Sequence, residues 1–67
     1  MNKYLIMPEY GRWTEEEAIT AEMAYRNVCS WYNPNKKIAV LNIETKEVKI
    51  YSRKIDYGKR IVEIIEH

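Results

Sequence analysis

The sequence Lys49-x-Tyr51-x-Arg53 places two cationic side chains and one aromatic ring at alternating positions. Alternate side chains of a β-strand point to the same face of a sheet. Such a face could bind phosphate groups through its cations and stack a nucleobase on its ring. The same pattern is also typical of a solvated strand face whose lysines prevent edge-to-edge aggregation. With their basic neighbours, the residues of this predicted nucleic-acid site are Lys46, Lys49, Tyr51, Arg53 and Lys54.

A second group of side chains could bind a protein. Ile19 and Met23 are four residues apart, which would place them together on a helix, outside its main apolar face. Tyr10 and Tyr32 are aromatic, and tyrosine is frequent among the anchors of protein interfaces. We therefore predict a partner-binding site at these four residues. The alternative for Ile19 and Met23 is that another segment of the chain covers them.

Groups suited to catalysis or metal binding are few. The only histidine is His67, and the only cysteine, Cys29, lies near the C-terminal end of a predicted helix, where the helix dipole disfavours a thiolate. Gly11 and Gly58 are the only glycines, too few for a glycine-rich phosphate loop. No cysteine and histidine spacing fits a metal site. We therefore expect a protein that is not an enzyme and that uses no cofactor and no metal.

The length of the chain, 67 residues, predicts a single small domain over residues 1–67. A domain of this size buries only about 60% of the surface that its unfolded chain exposes. Tight binding to a protein partner is therefore expected, and a homodimer is an alternative. One cysteine cannot form an internal disulfide, and no apolar run is long enough for a membrane. These features favour a cytoplasmic location.

Charge is divided unevenly along the chain, although the net charge is only +1. Residues 1–35 contain five acidic and three basic side chains, whereas residues 36–60 contain eight basic and three acidic ones. Electrostatic fields act locally, so this division could orient a partner. The small net charge argues against a strongly basic nucleic-acid-binding protein.

The first half of the chain predicts a strand followed by a helix. Residues 2–7 form a compact apolar stretch that ends at a proline, which indicates a strand. Thr14-Glu15-Glu16-Glu17 has the pattern of a capping box, and apolar residues with helical spacing follow it, so we predict a helix over residues 14–32. Because the chain contains no phenylalanine, we expect Trp13 and Trp31 to supply the aromatic core.

The second half predicts a β-hairpin and one further element. Residues 37–43 and 47–55 are rich in β-branched residues and flank a predicted turn. If Ile43 faces Val48, Leu41 pairs with Ile50 on the core face, and Tyr51 lies on the other face. Residues 60–66 favour a strand by composition, with a short helix as the alternative.

The expected fold class is α+β, a two-layer domain with one helix packed on a small, mainly antiparallel sheet, in the order β-α-β-β-β. Our leading functional hypothesis is a small non-catalytic protein-binding module. The small core, the divided charge and the lack of catalytic groups make a phage or mobile-element accessory protein that modulates a host protein or complex one expected form of this module. The abundance of isoleucine, lysine, tyrosine and asparagine is typical of an AT-rich genome, such as that of a low-GC bacterium or its phages, and carries no functional information. The alternatives are a nucleic-acid-binding module that uses the hairpin at residues 36–54 and a self-assembling structural protein.

Overall fold

The computed structural model describes all residues from 1 to 67, and it contains one α-helix packed against a five-stranded antiparallel sheet. The α+β class is therefore confirmed. The sheet order is β2-β1-β3-β4-β5. The elements are β1 (Asn2–Met7), β2 (Thr14–Ala18), α1 (Ala21–Val28), a short 3-10 helix (Cys29–Trp31), β3 (Ile38–Asn42), β4 (Val48–Asp56) and β5 (Ile61–Glu66).

The chain has one strand more than predicted, because residues 14–18 form β2 instead of the first turns of the helix. These residues pair with β1 in antiparallel register, with Ile6 opposite Thr14 and Asn2 opposite Ala18. A loop that contains Gly11, at φ 103°, joins the two strands and uses a backbone conformation that favours glycine. The backbone hydrogen bonds of a hairpin and the burial of Ala18 outweigh the helical preference of the glutamates.

The N-cap of the helix lies six residues later than the sequence predicts. Its N-cap is Thr20, whose side-chain oxygen accepts a hydrogen bond of 3.2 Å from the backbone N–H of Met23. Glu22 lies in the first turn, where its negative charge suits the positive end of the helix dipole. The predicted capping box at Thr14 and the predicted burial of Trp13 are therefore wrong, since Thr14 lies in a strand and Trp13 is 58% exposed.

The core lies between α1 and one face of the sheet, which we call the covered face. Its most deeply buried sheet residues are Tyr4, Ile6, Ile38, Val40 and Tyr51. The helix contributes one buried stripe that includes Ala24, Tyr25 and Val28. The rings of Tyr25 and Tyr51 stack with their centroids 5.6 Å apart and their planes inclined by 20°.

The hairpin of β3 and β4 forms as predicted, but its register differs by two residues. Leu41 pairs with Val48, and Ile50 pairs with Ala39. In the tight turn, the side-chain oxygen of Asn42 accepts hydrogen bonds from the backbone N–H groups of Glu44 and Thr45. Lys46 adopts a left-handed backbone conformation with φ 66°. A shift of two residues leaves every side chain on its face of the sheet, so the register alone does not decide which face is buried.

The buried face of this hairpin is the opposite of the one predicted. The helix packs on the side of Val40 and Tyr51, whereas Leu41 and Ile50 lie on the side that no helix covers. Both sides carry large apolar groups, and the aromatic stacking with Tyr25 favours the Tyr51 side.

The last element is a strand, which confirms the favoured prediction for residues 60–66. β5 pairs with β4 over six residues, from Asp56 opposite Ile61 to Tyr51 opposite Glu66. The turn between the two strands is held by the Asp56 carboxylate, which accepts hydrogen bonds from the backbone amides of Gly58 and Lys59. The only α-helix spans eight residues, and no helix of the fold is long and apolar enough to cross a membrane.

Candidate functional site

The basic hairpin does not form the cation–ring–cation surface that the sequence predicts. Tyr51 is only 2% exposed and stacks on the helix, so its ring cannot stack on a base. Lys49 shares the covered face with Tyr51, whereas Lys54 points to the other face. Lys46 lies in the β3–β4 turn. The five residues therefore do not lie on one surface.

Arg53 has a structural partner for its guanidinium group. Its Nε donates a hydrogen bond of 3.0 Å to the carbonyl oxygen of Cys29, and its Nη2 donates one of 2.7 Å to the carbonyl oxygen of Tyr32. Carbonyl groups at the end of a helix lack partners within the helix, and the guanidinium group binds the Tyr32 carbonyl there. The Cys29 carbonyl accepts from both the guanidinium group and the backbone N–H of Tyr32, the latter over 3.2 Å. Asn35 adds a third link, because its amide donates to the Arg53 carbonyl over 2.8 Å. Strand β4 thus holds the segment that follows the helix.

That segment forms one wall of a groove of about 250 Å³, which we call the aromatic groove. The other wall is the end of β1 and the loop after it. The groove is lined by Pro8, Glu9, Tyr10, Trp31, Tyr32, Asn33, Lys36, Lys37 and Ile38.

Two large aromatic side chains of this groove face solvent. Tyr10 is 80% exposed and Trp31 is 68% exposed, so neither contributes much to the core. The predicted burial of Trp31 is therefore wrong. Tyr32 is half-buried, and desolvation by burial raises the pKa of its phenol above the ordinary value of 10.

The charged groups of the groove are two exposed lysines and one exposed glutamate. Lys36 and Lys37 precede β3, and Glu9 follows Pro8 at the end of β1. Aromatic faces beside ammonium groups can hold an apolar or planar group together with a negative charge. The groove therefore has the chemistry of a binding site for an anionic ligand with an apolar part.

The predicted partner-binding residues fall in two separate places. Tyr10 and Tyr32 both line the aromatic groove. Ile19 is 63% exposed and Met23 is 44% exposed, but they flank the N-cap Thr20 at the other end of α1. An eight-residue helix is about 12 Å long, so this pair lies outside the groove. Ile19 precedes the helix, so the predicted arrangement of both residues on one helix is wrong.

The sequence reasoning missed the contribution of Trp31, Lys36 and Lys37 to the groove. The two lysines follow Asn33-Pro34-Asn35, a strong turn signal that brings them back beside the end of the helix. That turn is visible in the sequence and could have indicated that residues on both of its sides share one site. The exposure of Trp31 has no such signal.

The sheet face opposite the helix carries a second surface of interest, which we call the open face. Leu5, Leu41 and Val48 form one row across three neighbouring strands, and Met7, Ala39 and Ile50 form the next. Val48 is 51% exposed and Ile50 is 38% exposed. The apolar centre of the open face consists of six side chains, Leu5, Met7, Ala39, Leu41, Val48 and Ile50, and Ser52, Ile61 and Ile65 lie on the same side of β4 and β5.

Ser52 and His67 form a close polar pair on the open face, beside its apolar centre. The Ser52 hydroxyl lies 2.7 Å from Nε2 of His67, and the backbone N–H of His67 donates to the carbonyl of Ile50 over 2.8 Å. Ser52 is only 5% exposed, and neither it nor His67 lines a pocket. The pair therefore serves to satisfy a buried hydroxyl and to fix the last residue of the chain against β4.

No group of three or more histidine, cysteine, aspartate or glutamate side chains is arranged to hold a metal ion. Comparison of the chain with protein-family models, with curated proteins and with solved structures found no match.

Proposed function

We propose that this chain is a non-catalytic protein-binding module that binds an extended, acidic segment of its partner in the aromatic groove. The observation that carries the proposal is the exposure of Tyr10 and Trp31 on opposite walls of one groove. Large aromatic side chains are usually buried or used in binding, and here the fold leaves both in solvent. The free Cys29 favours a reducing compartment, and we place the module in the cytoplasm.

The expected ligand follows from the charges beside the two rings. The groove has two lysines, Lys36 and Lys37, and one glutamate, Glu9. An acidic residue in the ligand should therefore raise its affinity for the groove, and a basic residue should lower it. Tyrosine and tryptophan rings that line a groove also suit prolyl and aliphatic side chains of an extended peptide. The module would act by binding this segment of its partner and so blocking the segment's other contacts.

Peptide display can test this proposal without a known partner. A random library of 12-residue peptides is selected on the immobilised wild-type chain, and the enriched peptides are measured against Trp31→Ala and Trp13→Ala. Both substitutions remove an exposed tryptophan, but only Trp31 lines the groove. We expect acidic peptides that bind wild type and Trp13→Ala equally and lose at least about 30-fold in affinity with Trp31→Ala, the typical effect of an interface anchor.

The same experiment has outcomes that contradict the proposal. Equal binding to wild type and Trp31→Ala would exclude the groove as the site, provided that circular dichroism shows the variant folded. A second measurement uses labelled single-stranded oligonucleotides at low salt. If these bind, with an affinity that falls steeply with added salt, while acidic peptides do not, the site is for nucleic acid and the proposed function is wrong.

A further inference from the structure

The centre of the open face has the composition of a protein core, although no helix covers it. Its two rows, Leu5–Leu41–Val48 and Met7–Ala39–Ile50, contain no charged or polar side chain. The single α-helix packs on the opposite face of the sheet. An antiparallel sheet with one solvated face normally alternates apolar and polar residues. Here the centres of both faces are apolar, so the folding of one chain does not explain the apolar centre of the open face.

Charged side chains flank this apolar surface on two sides. On one side, Lys3 and Glu17 pair with each other across β1 and β2, and Glu15 lies opposite Leu5. On the other side, Lys54 lies opposite Glu63 in β4 and β5. An apolar centre with a polar rim is the usual anatomy of a protein interface.

We infer that the open face binds a second copy of this chain, so that two sheets pack face to face in a symmetric dimer. This inference goes beyond the proposed function and does not depend on it. The partner would be identical because homodimer interfaces resemble a core cut in half, rich in aliphatic side chains. Interfaces between separately folded partners are on average no more apolar than the rest of a protein surface, whereas all six of these side chains are apolar.

A dimer of standard size needs more of this face than its six apolar side chains. A standard interface buries about 800 Å² of each partner, about one sixth of the 4942 Å² accessible surface of this chain, and of the six only Val48 and Ile50 are largely exposed. The charged residues on both sides would therefore form part of the interface. Sheets that pack face to face lie about 10 Å apart, with their inner side chains interdigitated. Ala39, the smallest residue of the open face, lies between Met7 and Ile50 and leaves room for a larger side chain of the second copy.

Dimerisation would also compensate for the small hydrophobic core of the single chain. Only 11 of 67 residues are buried in one chain, and nine of them form its hydrophobic core. Domains of this size are marginally stable by themselves, and association of folded chains stabilises them by mass action. Burial of the open face would add a second apolar layer to each sheet.

Light scattering and sedimentation of the full chain at concentrations from micromolar to about half millimolar test the inference. We compare wild type with Ile50→Lys, on the open face, and with Val62→Lys as the matched control. The two residues have similar exposure, 38% and 50%, but Val62 lies on strand β5 and points to the other side of the sheet. We expect wild type and Val62→Lys at twice the chain mass of 8.1 kDa. Ile50→Lys should raise the dissociation constant at least about 30-fold, because it buries an unpaired charge.

Three results would overturn the inference. The first is a wild-type chain that stays monomeric at the highest concentration. The second is a folded Ile50→Lys variant that dimerises as well as wild type. The third is a dimer that Val62→Lys abolishes, which would locate the interface at the edge strand β5. Loss of peptide binding in the groove with an intact dimer would contradict only the proposed function, so the two ideas fail separately.

Discussion

The two faces of this sheet have nearly the same chemistry but different surroundings. On the covered face, Ile6 and Val40 are completely buried under α1. On the open face, Val48 and Ile50 have comparable side chains and are 51% and 38% exposed. Apolar composition alone therefore does not indicate the core of this protein. What distinguishes the covered face is the helix and the stacking of Tyr25 on Tyr51.

The difference assigns separate tasks to the two faces. The covered face holds the fold of the single chain together. The open face contributes little to that fold. It nevertheless has aliphatic residues at six neighbouring positions, where polar residues would make the protein more soluble. Substitutions on the two faces should consequently have very different effects on an isolated chain.

The largest contrast should come from removing the same side chain on each face. We expect Ile6→Ala to lower the free energy of unfolding by about 2–5 kcal/mol, because it leaves a cavity at a completely buried site. Ile50→Ala should cost less than about 1 kcal/mol at concentrations where the chain is monomeric. Urea denaturation of both variants measures the contrast, and Ile6→Val replaces Ile6→Ala if the latter does not fold. Equal losses at the two positions would contradict the assignment of the faces.

The stacked tyrosines of the covered face predict a loss of stability at alkaline pH. Burial is the main cause that raises the pKa of both Tyr25 and Tyr51 to about 12, and the Glu66 carboxylate adds to the effect at Tyr51. In the unfolded chain both phenols have a pKa near 10. The unfolded chain therefore loses protons first, so the stabilisation is complete below pH 10 and is lost as the pH rises through 12.

One pKa unit corresponds to about 1.4 kcal/mol, so we expect each buried tyrosine to account for at most about 2–3 kcal/mol of this loss. Tyr25→Phe should flatten the fall of the unfolding free energy between pH 10 and 12, measured by denaturation at each pH. The control is Tyr57→Phe, because that ring is 78% exposed and all lysines are kept. A slope that is the same in Tyr25→Phe and wild type would show that the buried phenol is not responsible.

The sequence is sufficient to predict the α+β class, β1, the β3–β4 hairpin and the last strand, because each has a local signal in β-branched residues or turns. It is not sufficient for β2. Thr14-Glu15-Glu16-Glu17 has a strong helical N-terminal pattern, and only the pairing with β1 makes it a strand. That pairing is a tertiary effect, which local preference does not contain.

The candidate site shows the same limit. Tyr10 and Tyr32 could be selected as binding residues from their type alone, and both line the aromatic groove. The sequence predicts Trp31 in the core, because a chain without phenylalanine needs other aromatic residues there. In the structure Tyr25 and Tyr51 fill that position instead, which leaves Trp31 in solvent. Because the helix packs on the Tyr51 side of the sheet, Tyr25 and Tyr51 are buried and Trp31 remains exposed for binding a ligand.

The smallest effects on stability are expected from substitutions of Thr14 and Thr20. Thr14 lies at the edge of the covered face, opposite Ile6. The buried Oγ1 of Thr14 has no hydrogen-bond partner, so Thr14→Val should be neutral or slightly stabilising, and valine also suits a strand. Thr20→Ala should cost about 1 kcal/mol, because it removes the oxygen that caps α1. Thermal denaturation of the two variants separates the alternatives. If residue 14 capped the helix, the order of the two effects would be reversed, and residues 14–18 could not supply the strand that borders both faces.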